Sequence, residues 1–226
     1  MIARIFKYLC EKLKLNLNQN MGKQLDKKKI AVMLETEYIP SEMAYYKDYF
    51  TSLGAEVSFV SYLWGEDKKT FVCDIDSPDK PVKDIQTMEV SIDVTKINPD
   101  DYDAVLMGAN YCAVRLREIP PMGSFGSVEQ LGTPPAVQFF AKAMKNKKIV
   151  KGALCHALWI LTPVPELLKG RKVTCHTVVL ADIHNAGAVY EPSYVCVDDD
   201  LVTGRSAANV KEYCEAITQT IISRNK

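Results

Sequence analysis

From Lys29 onward, short apolar runs alternate with amphipathic stretches along the chain. KKIAVMLE is an apolar run led by charges, the pattern of a parallel strand buried on both faces. SEMAYYKDYFTSLG then carries apolar residues at helical spacing, with Ser41 placed to cap its start and Gly54 to stop it. AEVSFVS reads as a second strand, so the opening is a βαβ unit with a right-handed crossover. Between Leu63 and Val94 the chain turns polar, and the alternating stretches TFVCDI and MEVSIDV predict an inserted hairpin at the sheet edge. NPDDYDAVLMGAN sets acidic turn residues ahead of a buried strand ending at Met107. PPMGSFGSVEQLGTPP, rich in Gly and Pro, predicts a loop between Pro120 and Pro135 that could act as a lid.

The second half repeats the rhythm. PAVQFFAKAMKN predicts a helix and KKIVKGALC a strand, and HALWILTPVPELLKG continues as a helix interrupted by Pro163 and Pro165. RKVTCH reads as the next strand and ADIHNAGA as a loop. YVCVDDDLVTGR is a hairpin turned by Asp198, Asp199 and Asp200, and NVKEYCEAITQTIIS closes as an amphipathic helix. Strands alternating with helices predict an α/β fold, a mostly parallel sheet covered on both faces. In such sheets ligands bind beyond the carboxyl ends of the strands, here after Leu34, Met107 and Leu154.

The 226 residues suffice for one domain with a sizeable core, expected over 29–226 and preceded by an extension over 1–28. That extension is basic, with Ile2, Ile5, Phe6, Leu9 and Leu13 at helical spacing. It reads either as a helix lying on a surface or partner, or as a loosely attached tail with Met21 as the working start. It makes a poor secretory signal, and no apolar run approaches the ~20 residues needed to span a bilayer. Lys plus Arg and Asp plus Glu both number 28, which removes the simplest electrostatic case for a nucleic-acid or membrane partner. The seven cysteines are odd in number and scattered, with no C-x-x-C pair. They suit a reducing, cytoplasmic compartment and argue against a disulfide framework, a structural metal or another cofactor. Cys175-His176 reads as packing at a strand end.

Cys155 stands where IVKGAL ends and a helix is expected to begin. A nucleophile on such an elbow is exposed at the top of the sheet, and a helix N-terminus behind it would favour thiolate. A buried, inert cysteine is the alternative. His156 could serve as a general base if it bent back and a carboxylate held its other nitrogen; otherwise it is a capping or surface residue. The first strand end supplies Glu35, Glu37 and Glu42. Glu42 at a helix start is explained by the dipole alone, but buried against the thiol it would have a raised pKa and could donate a hydrogen bond to thiolate. Gly108 and Ala109 would let backbone N–H groups approach a ligand closely, as an oxyanion hole requires, or are simply turn residues.

Taken together, KKIAVMLE, NPDDYDAVLMGAN, VRLRE, GALCHALWIL, LLKGRKVT, NAGAVY and DDDLVTGRSAANV resemble the ThiJ/PfpI family. That family includes Pfp-type intracellular proteases, a parkinsonism-associated deglycase and glyoxalase-like chaperones. The resemblance covers roughly 29–223 and implies a flavodoxin-like three-layer sandwich related to glutamine amidotransferase domains. It further implies Cys155 as nucleophile, Glu42 as the adjoining carboxylic acid, His156 as base, and Ala109 with Asn110 lining the oxyanion or substrate pocket. A homodimer or larger homo-oligomer is implied as well, with a small-molecule or peptide substrate. Two departures stand out: Ala109 and Asn110 replace a common pair of glycines, and Val114 stands where protease-like members carry an acid. Three functions follow as expectations. The first is a cysteine-dependent hydrolase-like or deglycase-like enzyme acting on small carbonyl or amide compounds. The others are a redox-sensing or chaperone-like stress protein and a glutamine amidotransferase subunit, the last disfavoured because no H-x-E follows His184.

Overall fold

The computed structural model of the protein describes residues 24–74 and 85–224. Ten strands are described: β1 Lys29–Met33, β2 Glu56–Val60, β3 Lys69–Val72, β4 Thr87–Val90, β5 Ala104–Met107, β6 Val150–Leu154, β7 Lys172–Val173, β8 Val189–Tyr190, β9 Val195–Asp198 and β10 Leu201–Gly204. Five α-helices accompany them: α1 Pro40–Ser52, α2 Cys112–Leu116, α3 Pro135–Lys145, α4 Leu180–Asn185 and α5 Val210–Arg224. Six strands form one sheet in the order β2-β1-β5-β6-β10-β9, parallel except for the edge strand β9. Counted within this sheet alone, the parallel strands run 2-1-3-4-5, the flavodoxin-like order with its switch point between β1 and β5.

Burial explains the sheet. Every residue of β5 and β6 is buried, as befits parallel strands covered on both faces. Helices α1 and α5 pack on each other, and α5 lies over β6 and β10. Phe139, Phe140 and Met144 bring α3 into the core, where a fully buried Phe contributes about 1.5–3 kcal/mol. Leu25 is also fully buried and donates its N–H to the Leu53 carbonyl at 2.9 Å, so residues before 29 already join the globule. The proposed helix over the first twenty residues lies outside the described residues.

Several elements differ from the sequence expectation. Helix α1 begins at Pro40, one residue before Ser41, and Ile39 caps it without a side-chain bond. Proline's fixed φ suits the first helical position, and that outweighs the serine signal. The hairpin β3–β4 forms its own two-stranded sheet, joined to the rest by isolated bridges, Tyr38 with Cys73 and Ser61 with Asp93, and by the Glu37 N–H on the Val72 carbonyl at 2.7 Å; part of its connection lies outside the described residues. RKVTCH contributes two strand residues, paired with β8 apart from the main sheet. ADIHNAGA, expected as loop, contains most of α4. After Cys155 the chain makes a 3-10 segment, Ala157–Leu161, rather than an α-helix. Pro163 and Pro165 follow too closely for a longer helix to propagate.

Candidate active site around Cys155

The parallel register sets the site. Met33 pairs with Met107, Met107 with Ala153, and Leu154 with Gly204, so the strand ends after Leu34, Met107 and Leu154 lie side by side as expected. Cys155 occupies the elbow with φ +62, a left-handed conformation costly for any residue bearing a Cβ. Its own backbone is clamped on both sides: its N–H donates to the Gly204 carbonyl at 2.8 Å, and its carbonyl accepts from the His176 N–H at 3.2 Å. The thiol is 8% exposed. Burial pushes its pKa up to about 11, with the charge of Glu42 adding to the rise. The backbone of Ala207, His156 and Asn110 pulls the other way. Because a short 3-10 segment stands behind Cys155, the helix-dipole lowering expected from the sequence is not what governs this thiol.

Glu42 is buried in the first turn of α1. Its carboxylate accepts the Ala109 N–H at 3.0 Å and 3.2 Å and the Tyr46 hydroxyl at 2.7 Å. Burial still dominates and raises its pKa to about 7 against those two donors. The other acids of this strand end have separate duties. Glu37 pairs with Arg115 at 2.9 Å, and Glu35 holds the Thr36 N–H and faces the Trp64 indole. Of these three acids, Glu42 is the one whose charge reaches the Cys155 thiol.

Ala109 and Asn110 exchange the roles the sequence suggests. The Ala109 N–H is committed to Glu42, so it is not free to face a substrate oxygen. Asn110 instead is one of the backbone influences that lower the Cys155 thiol. Its φ is +61, and its side chain folds away to donate to the Glu37 carbonyl at 2.9 Å. An asparagine here therefore blocks nothing, because its amide is anchored outside the recess.

A model of the DJ-1/PfpI family matches residues 28–220. The chain belongs to the DJ-1/PfpI family. An uncharacterized protein of Staphylococcus aureus is 26% identical over 195 residues, which cover 86% of this chain and 98% of its own length. Among solved structures, a two-domain protein of Anabaena variabilis with dj-1/thij/pfpi-like and ferritin-like domains has a TM-score of 0.68 at 22% identity. The match covers 85% of this chain and 48% of that one, so this chain spans about half of the two-domain structure. Schizosaccharomyces pombe DJ-1 has a TM-score of 0.61 at 14% identity, covering 87% of this chain and 96% of that one.

In this DJ-1/PfpI chain His156 has no carboxylate partner. Both ring nitrogens are buried without a hydrogen bond, and the ring packs among Tyr111, Trp159 and His176 at centroid distances of 5.5, 5.1 and 4.8 Å. Burial, with the charge of His176 adding to it, lowers its pKa to about 4. Val114, at the position of the expected acid, is exposed and offers none. The His156 backbone thus favours thiolate at Cys155 while its imidazole stays neutral near pH 7. Tyr111 and Trp159 stack at 6.0 Å beside the His156 ring, and the Arg117 guanidinium lies over Trp159. Sequence reasoning missed Ala207, Tyr46 and this aromatic cluster. Ala207 lies in GRSAANV, a stretch that carries the family resemblance, but a backbone donor leaves no mark on residue type. Among the described residues no cluster of three or more His, Cys, Asp or Glu is placed to hold a metal ion.

Proposed function

We propose that the protein acts through Cys155 as a nucleophile toward small electrophilic carbonyl compounds, with Glu42 rather than His156 as its proton partner. The observation that carries this reading is the buried Glu42 carboxyl, its pKa raised to about 7, set against the same thiol whose pKa it helps to raise. Near neutral pH the Glu42 carboxyl is about half protonated, while the Cys155 thiol, with a pKa of about 11, still carries its own proton. With the carboxyl neutral its repulsion ends, so the thiol gives up its proton more readily, helped by the lowering influence of the Ala207, His156 and Asn110 backbone. Thiolate adds to the carbonyl carbon, the C=O π electrons move to oxygen, and the Glu42 proton is available to that oxygen or to the leaving group. Peptide hydrolysis fits less well, since a His156 without an acid is poorly built to protonate a departing amine. The test is consumption of a small α-oxoaldehyde by the purified chain. Cys155→Ser is expected to abolish it, and retention of even a tenth of the turnover would sink the reading.

The redox reading stands beside it on a different observation. An elbow cysteine on strained backbone, with the charge of an acid reaching its thiol and no His–acid dyad beside it, is the candidate oxidant target. Mass spectrometry after mild peroxide treatment decides it, because oxidation no greater at Cys155 than at the other cysteines rules it out. The family resemblance also supports a homodimer or larger assembly, to be measured as solution mass by light scattering.

A further inference from the structure

Cys175 is a second thiol beside the elbow. The His176 N–H donates to the Cys155 carbonyl at 3.2 Å, which lays the backbone just after Cys175 against the elbow itself. Residues flanking such a bond have Cα atoms on the order of 5–7 Å apart, within the span of a disulfide. The same neighbourhood is fixed twice more, by the Thr174 N–H on the Thr203 hydroxyl at 2.9 Å and the Cys155 N–H on the Gly204 carbonyl at 2.8 Å. Both bonds tie these segments to the end of β10. The His176 ring faces His156 at 4.8 Å, and neighbouring side chains of an extended chain point opposite ways, so Cys175 turns from that ring toward the core. There it is 1% exposed, in the same buried cluster as Cys155. After burial, the charge of Cys155 is the next influence raising the Cys175 thiol, so the two sulfurs sense each other.

We propose that Cys175 is the resolving thiol of Cys155, closing an intramolecular disulfide once a peroxide has oxidised the elbow. This rests on the redox reading of Cys155. In the first step the Cys155 sulfur attacks one peroxide oxygen, the O–O bond breaks, and the thiol proton leaves with the other oxygen as water or alcohol. That yields Cys155 sulfenic acid, with the peroxide reduced by two electrons. In the second step the Cys175 sulfur attacks the sulfenic sulfur, the S–O bond breaks, and hydroxide departs with the Cys175 proton as water. An external dithiol then returns both cysteines to thiols and is itself oxidised. Because Cys175 is already in place, disulfide closure competes with a second peroxide and spares Cys155 from sulfinic acid. A residue that read as strand-end packing thereby becomes a protective partner.

The test treats the full chain with graded hydrogen peroxide, blocks free thiols with iodoacetamide, and maps peptides by mass spectrometry without reductant. A Cys155–Cys175 linked peptide, lost on dithiothreitol treatment, is the expected product. In Cys175→Ser, or Cys175→Thr should the serine variant fold poorly, sulfinic acid at Cys155 is expected to rise at least about fivefold at equal peroxide. Wild-type chain that goes to Cys155 sulfinic acid with no such link, or links Cys155 to another cysteine, overturns the proposal and leaves the redox reading intact. Cys155 no more oxidised than the other cysteines overturns that reading and this inference with it.

Discussion

Glu42 links the stability of the fold to pH. Its pKa is about 7 in the folded chain against an ordinary 4.5, so the folded state binds more protons than the unfolded state between those values. Stability must therefore fall as pH rises through that window, by about 3 kcal/mol for this one group. Glu42→Gln keeps an oxygen for the Ala109 N–H but never ionises. It is expected to be at least as stable as wild type at pH 8 and to lose that advantage at pH 5, read from urea midpoints at the two values. The same substitution reports on the thiol. Above pH about 7 the carboxylate is charged and raises the Cys155 pKa, so its removal must lower that pKa. Iodoacetamide alkylation of Cys155, followed against pH, should shift its midpoint downward in Glu42→Gln. An unmoved or raised midpoint would break the coupling on which the proposed chemistry depends.

At the scale of elements, the site depends on how closely α5 presses on β6. Gly152, mid-strand, makes the approach possible: a Cβ there would stand 2.1 Å from the Tyr213 hydroxyl oxygen and 2.5 Å from a Leu106 methyl. Tyr213 is fully buried and cannot swing into solvent. Gly152→Ala should therefore cost about 1–3 kcal/mol by overpacking, seen as a lower denaturant midpoint, and an unchanged midpoint would mean α5 rides further from the sheet. This dependence also shows what the sequence could reveal. Strands β1, β5 and β6 were legible because parallel strands buried on both faces are nearly continuous apolar runs, and such a run points straight at Cys155. Glu42 was legible as a first-turn carboxylate, but that local pattern is explained by the helix dipole, and its link to Cys155 came only from the fold and the resemblance. The 3-10 segment after Cys155 was not, since apolar spacing does not separate one tight turn from another. Helix α4 is too short for periodicity to establish. Least legible were the exchange between Ala109 and Asn110 and the nearness of Cys175, because a backbone N–H and a contact across strands leave no local pattern.

At the scale of the whole molecule, chemistry and stability sit at opposite ends of β6. Cys155 follows the strand, while Lys151, fully buried near its start, is roughly 13 Å away at the ordinary rise of a strand. The Lys151 ammonium donates to the Ile149 carbonyl at 2.9 Å and pairs with Asp200, which also accepts from Arg171 at 2.7 Å. Asp200 opens β10 just after the turn, so this network joins β6, the edge hairpin and the segment leading to β7. Burial alone would raise the Asp200 carboxyl, but the bonds and charges of Lys151 and Arg171 outweigh it and hold it below the usual range. A lowered carboxylate pKa stabilises the fold above its unfolded value, and that stability is lost as acid protonates it. Asp200→Asn removes the charge and leaves a buried ammonium uncompensated, which should cost about 3–5 kcal/mol. Because the elbow is held by other partners, Gly204 and His176, Cys155 in the surviving folded fraction should alkylate at the wild-type rate under native conditions. Urea unfolding and alkylation kinetics on the same preparation separate the two effects. A matching fall in both would show that the base of the sheet and the strained turn above it are one cooperative unit, with the strain at Cys155 sustained by the ion network.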